Sequence, residues 1–158
     1  MRDSYRLITW YGLSLVIIAA DQTSKFWVQA NLNYAEPNPV LTWLNFTLHY
    51  NEGAAFSFLS EAGGWQRWFF SSVALIASAV LVVWLYIIRH SQGCLPFGLA
   101  FILGGALGNV WDRLEMGYVV DFVSVHLYDW YFPTFNVADS AISVGVCLVL
   151  LDGFFSNR

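Results

Sequence analysis

Polar residues in this chain are crowded into the ends of long apolar runs and the segments between them. The first run covers about residues 7–20 and continues through Asp21 to about residue 28. The second, about residues 68–88, contains no charged side chain. The third, about residues 95–110, carries Gly98, Gly104, Gly105 and Gly108, and the fourth, about residues 138–155, is interrupted only by Asp152. A helix needs roughly 20 apolar residues to cross the hydrocarbon core of a bilayer, so the pattern predicts four transmembrane helices. The glycines of the third run let neighbouring backbones approach closely in lipid. Two intervening stretches are rich in β-branched and aromatic residues: about 40–48 and about 118–125. After a turn near Asp129, Trp130, Tyr131 and Phe132 are expected to pair back on the second. The expected fold is membrane α-helical: four transmembrane helices with a small β-rich platform on the outward side, forming one domain over residues 1–158.

Composition sharpens this picture. Of 158 residues, 58% are hydrophobic and 11% charged, whereas soluble domains carry about 25% charged residues. Lipid is therefore the main solvent, and no length remains for a separate soluble domain. The net charge is −4 and no Lys/Arg run exists, which argues against nucleic acid as a partner. Cys94 and Cys147 lack metal-ligand or CxxC spacing, and His49, His90 and His126 lack any HExxH-like spacing, so no metal or other cofactor is expected.

Charge sets an orientation. With an even number of spans, Arg2, Arg6, Arg89 and Arg158 share one side, against Lys25, Arg67 and Arg113 on the other, and the positive-inside rule makes the side of the four arginines cytoplasmic. Asp3 and Asp152 fall on that side too, while the other nine acids lie at or beyond the outer ends of the spans. The chemistry should face outward. An alternative reading of the first run, as a cleavable leader, rests on Arg2, Arg6 and Ala19-Ala20.

Asp21, Asp112, Arg113, Asp121 and Asp139 all sit near outer span ends, where ionisable groups are costly and mark function by default. Each also has a structural reading. Asp139 fits a helix cap with Asn136, Asp121 a turn-facing acid, and Arg113 an ion pair with Asp112. Lys25 fits an interfacial anchor. Asn51, Asn109 and Asn136 fit either substrate contacts or buried carbonyls. Ser24 beside Lys25 raises a Ser–Lys protease, but adjacent helical residues do not face each other. A proton-coupled transporter using Asp21, Asp112 and Asp121 is opposed by acids gathered at one depth.

Five blocks taken together resemble the lipoprotein signal peptidases, or signal peptidase II. They are Asp21-Gln22-Thr23-Ser24-Lys25, then Asn51-Glu52-Gly53-Ala54-Ala55-Phe56, then the stretch from Gly104 to Arg113 that contains Asn109 and Asp112. Val119-Val120-Asp121-Phe122 and Phe135-Asn136-Val137-Ala138-Asp139-Ser140 follow. The resemblance implies an aspartyl protease with Asp121 and Asp139 as its catalytic pair. It implies supporting roles for Asp21, Lys25, Asn51, Gly53, Asn109, Asp112, Arg113, Asn136 and Ala138. Glu52 and Trp111 depart from the family's usual residues. The implied substrate is a diacylglyceryl-modified prolipoprotein, cut before the lipidated cysteine of its lipobox. Membrane lipid and globomycin-like peptide inhibitors are the other implied partners, and the bacterial inner membrane is the implied location, with the site near its periplasmic face. Gly53, Gly63 and Gly64 would let the segment between them move over the site.

Overall fold

The computed structural model describes residues 2–53, 64–91 and 93–156, without the side chains of residues 2–6 and 156. Helix α1 (Arg2–Asn31) leads to strands β1 (Asn38–Leu41) and β2 (Leu44–Asn51). Helices α2 (Trp65–Ile87) and α3 (Cys94–Glu115) follow, then β3 (Val119–Leu127), β4 (Trp130–Tyr131) and α4 (Val137–Ser156). The segment expected to move over the site lies, from Ala54 to Gly63, outside the described residues.

Three helical stretches are long and apolar enough to cross a membrane: Trp65–Ile87, Cys94–Glu115 and Val137–Phe155. Their outward residues are apolar, as with Val73, Ile76, Val80 and Ile87 on α2. Polar groups turn inward instead. Ser14 of α1, for example, donates to the carbonyl of Ala100 on α3 at 2.9 Å.

Helix α3 is the hub, packing against α1, α2 and α4. Its glycines permit this. A Cβ on Gly98 would lie 2.7 Å from the carbonyl oxygen of Gly145 on α4, and one on Gly104 would lie 2.9 Å from that of Ser14 on α1. At the end remote from the sheet, Trp10, Leu81, Leu85, Leu99 and Leu103 form one apolar core. There Asp152, the lone interruption of the last run, accepts the N–H groups of Cys94 and Leu95 at 3.0 Å each. It caps the neighbouring helix α3, whose first N–H groups have no partner of their own.

The four strands form one antiparallel sheet in the order β1-β2-β3-β4. The continuous strand expected over about residues 40–48 is instead a hairpin. It breaks at Thr42-Trp43, with Leu41 paired to Leu44. No Gly, Asn or Asp marks that turn, so its residues read as strand. The second hairpin matches the expectation: Leu127 pairs with Trp130 and His126 with Tyr131, while Tyr128 turns the chain at φ 52°. One face of the sheet rests on α1 through Val28, Leu48, Val120 and Phe122.

Candidate active site

Asp121 stands on β3 and Asp139 in the first turn of α4, and one residue touches both. Asn136 precedes α4 and its side-chain nitrogen donates to Asp121 Oδ1 at 2.7 Å. Its main-chain N–H reaches Asp139 Oδ2 at 3.3 Å, and its side-chain oxygen accepts the N–H of Asp139 at 2.9 Å. The last two bonds form a reciprocal helix cap. The capping role foreseen for Asp139 is thus present, and it fixes the carboxylate beside Asp121 rather than competing with that placement.

The remaining carboxylate oxygens are also held. Asn51 donates to Asp121 Oδ2 at 3.0 Å, and Asn109 donates to Asp139 Oδ1 at 2.8 Å. Lys25 orients Asn109: its ammonium donates to the Asn109 oxygen at 3.0 Å, which turns the amide NH₂ toward Asp139. The same ammonium lies 2.7 Å from Asp21 Oδ2 and 2.8 Å from Asp112 Oδ2. Its three protons are fully used, and Lys25 is 2% exposed. Lys25 is therefore a buried member of the site and not an interfacial anchor. Ser24 turns away to the carbonyl of Asp21 at 2.7 Å, so no Ser–Lys dyad forms.

Asp21 and Asp112 are completely buried. Asp21 Oδ1 accepts the N–H of Ala138 at 2.9 Å, and Asp112 Oδ2 accepts the N–H of Val120 at 3.1 Å. Ala138 is the residue before Asp139, and Val120 is the residue before Asp121. Gln22, which sequence reasoning noticed only within its block, donates to Asp112 Oδ1 at 2.7 Å and approaches Asp21 Oδ2 at 3.3 Å. Its proximity to Asp21 in the chain was the only available signal. Arg113 donates to the carbonyl of Gly53 at 3.1 Å, and Gly53 N–H donates to the Asn51 side chain at 3.1 Å. All eleven residues expected at the site thus converge. Ala54, Ala55 and Phe56 of the same block lie outside the described residues.

The pair opens into a cavity of about 570 Å³ lined by Arg113 and Asn109 and by the apolar Phe132, Phe135, Ile142 and Val144. Burial pushes the Asp121 carboxyl up to about 7, and the negative charge of Asp139 adds to that rise. Hydrogen bonds from Asn51 and Asn136 and the charge of Lys25 oppose it. A carboxyl poised near neutrality beside a second carboxylate is the arrangement that lets one proton be shared. Among the described residues, no group of three or more His, Cys, Asp or Glu is placed to hold a metal.

Two carboxylates bridged by one asparagine thus lie among apolar helices. A family model for signal peptidase (SPase) II matches residues 13–155, and the chain belongs to that family of aspartic-class peptidases. A lipoprotein signal peptidase of Acinetobacter baumannii is 53% identical over 151 residues, covering 96% of this chain and 86% of the relative. Another from Cellvibrio japonicus is 50% identical, covering 93% and 86%. One solved structure, described as a bacterial membrane enzyme obtained by the in meso method at 2.3 Å resolution, superposes with a TM-score of 0.84. It is 28% identical and covers 95% of this chain and 90% of that one.

Proposed function

We propose that this chain removes the signal peptide from diacylglyceryl-modified prolipoproteins, cutting before the lipidated cysteine, with Asp121 and Asp139 as the catalytic pair. The observation that carries the reading is the single asparagine, Asn136, bonded to both carboxylates. Family membership supports the substrate class.

The chemistry follows from the pair. One carboxylate is ionised and takes a proton from water as the oxygen adds to the scissile carbonyl carbon. The other passes the shared proton to the carbonyl oxygen, so the intermediate is a neutral gem-diol. When the C–N bond breaks, the carboxyl that took the proton from water gives it to the departing nitrogen, the diol returns a proton to the other carboxylate, and the new carboxyl group is released. Asn109, Asn51 and Asn136 hold the carboxylates so that the geometry exists before the substrate arrives. The Arg113 guanidinium lines the cavity and offers donors to the peptide backbone.

The whole chain, residues 1–158, acts as one integral-membrane domain with four spans. Helix α1 is counted as a span because it has 30 residues, and Ile8, Leu15, Val16 and Phe26 face outward while Ser14, Asp21 and Lys25 are buried. That polarity, apolar out and polar in, suits lipid. Both termini face the cytoplasm of a bacterial inner membrane, and the sheet and the carboxylates lie toward the periplasm. The lipid anchor of the substrate keeps the peptide at bilayer depth and raises its effective concentration. Globomycin-like peptides occupy the same cavity. Purified enzyme given matched precursors, with and without the diacylglyceryl group, tests the reading. Mass spectrometry is expected to show cleavage before the modified cysteine and little from the unmodified precursor. Equal cleavage of both, or a cut elsewhere, would overturn the substrate assignment.

A further inference from the structure

Each proposed catalytic aspartate is tethered through the residue before it. The Ala138 N–H is held by Asp21 at 2.9 Å, and the Val120 N–H by Asp112 at 3.1 Å. These two carboxylates come from different helices, α1 and α3, and carry α4 and β3 respectively. Whatever sets the distance between Asp21 and Asp112 therefore also sets the relation of Asp139 to Asp121.

Two groups tie Asp21 to Asp112. Lys25 is one, with contacts of 2.7 and 2.8 Å. It brings one ammonium to two completely buried acids on different helices. The second tie is Gln22. Its amide nitrogen donates to Asp112 Oδ1 at 2.7 Å, lies 3.1 Å from the carbonyl of Gly108, and approaches Asp21 Oδ2 at 3.3 Å. With only acceptors around it, that position calls for the NH₂ and not the oxygen of the amide. Gly108 itself leaves the room: a Cβ there would lie 2.7 Å from Asp21 Oδ2.

We infer that Gln22 is a positioning residue for the reaction, a neutral crosslink between Asp21 and Asp112 that fixes the spacing of the catalytic pair. This rests on the reading of Asp121 and Asp139 as that pair. The prediction for Gln22→Met, which keeps the length and removes the donor, is a kcat lowered about tenfold by misplacement of the pair with KM within about twofold of wild type. Without the crosslink Asp21 and Asp112 are free to separate and carry Asp139 and Asp121 apart, so each of the catalytic pair raises the other's proton affinity less. The high-pH limb of the rate profile is then expected roughly half a pH unit or more lower. The groups bearing on that limb are Asp139 of α4, Lys25 and Asp21 of α1, Asp112 and Arg113 of α3, and His49, paired across the sheet with Asp121.

Gln22→Glu supplies an internal control. When protonated it keeps a donor toward Asp112, and when ionised it places a third negative charge there. Its kcat per folded enzyme relative to wild type, with the folded fraction read from thermal melts at each pH, is expected to recover as the pH is lowered. If Gln22→Met does not accumulate, this pH-dependent recovery alone decides. Wild-type kcat and pH limb in Gln22→Met, or a Gln22→Glu defect equal at every pH, would overturn the inference. Cleavage surviving in Asp121→Asn would instead remove the reading on which it rests.

Discussion

The side-chain nitrogen of Asn136 lies 2.7 Å from Oδ1 of Asp121, and through that bond the cap of α4 becomes part of the site. The same residue closes the first turn of the helix by accepting the N–H of Asp139. Replacing it therefore damages fold and chemistry together. Asn136→Ala is expected to lose about 1 kcal/mol of stability for the cap, seen as a lower Tm in detergent. It is also expected to lose at least about a hundredfold in kcat from a misplaced pair. A variant with the lower Tm but near-normal kcat would separate the two roles.

The pH dependence follows from Asp121. Its carboxyl is pushed up to about 7 from 3.8 by burial and by Asp139. Loss of the shared proton above that value should make activity fall as pH rises beyond about 7. Stability follows the same sign. Between 3.8 and about 7 the folded protein holds a proton that the unfolded chain has released, so this group's contribution weakens as pH rises through that window. In Asp121→Asn that contribution should be missing from a plot of Tm against pH.

Lys25 is the only cation bonded to Asp21 and Asp112 among the described residues. Lys25→Met would leave two acids buried without their counter-charge. Breaking such a pair costs about 3–5 kcal/mol, so the variant should unfold well below the wild type in thermal melts. A Tm within a few degrees of wild type would show that the acids are not ionised together.

The crossing of α3 and α4 offers a matched comparison of near and far positions. A Cβ on Gly105 would overlap the carbonyl of Ala138, next to Asp139, whereas one on Gly145 would lie 2.6 Å from the carbonyl of Gly98, toward the other end of the helices. Overpacking costs about 1–3 kcal/mol at either place. Gly105→Ala is expected to depress kcat at matched Tm loss, and Gly145→Ala to spare it. Assays of the folded fractions of both proteins provide the check.

The apolar runs announced α2, α3 and α4 because lipid imposes one simple rule on everything facing it. The five blocks announced the site because costly polar residues gathered at one depth and matched a family pattern in order, although each alone also had a structural reading. What stayed hidden depended on three-dimensional partners. The hairpin turn at Thr42-Trp43 lacks turn chemistry and is set by pairing with β3, where Leu44 faces Val125. Asp152 looked like an interruption of its own helix, and its purpose is the cap it gives to α3. The buried setting of Lys25 was equally invisible, since an ammonium at a span end more often reaches for the interface.

The central claim is that Asp121 and Asp139 act as one catalytic unit, and single-turnover cleavage of a purified diacylglyceryl-modified prolipoprotein tests it most directly. Wild type should release the signal peptide, while Asp121→Asn and Asp139→Asn, folded by Tm, should each be slower by about a thousandfold or more. A folded variant of either kind that cleaves within about tenfold of wild type would contradict the account.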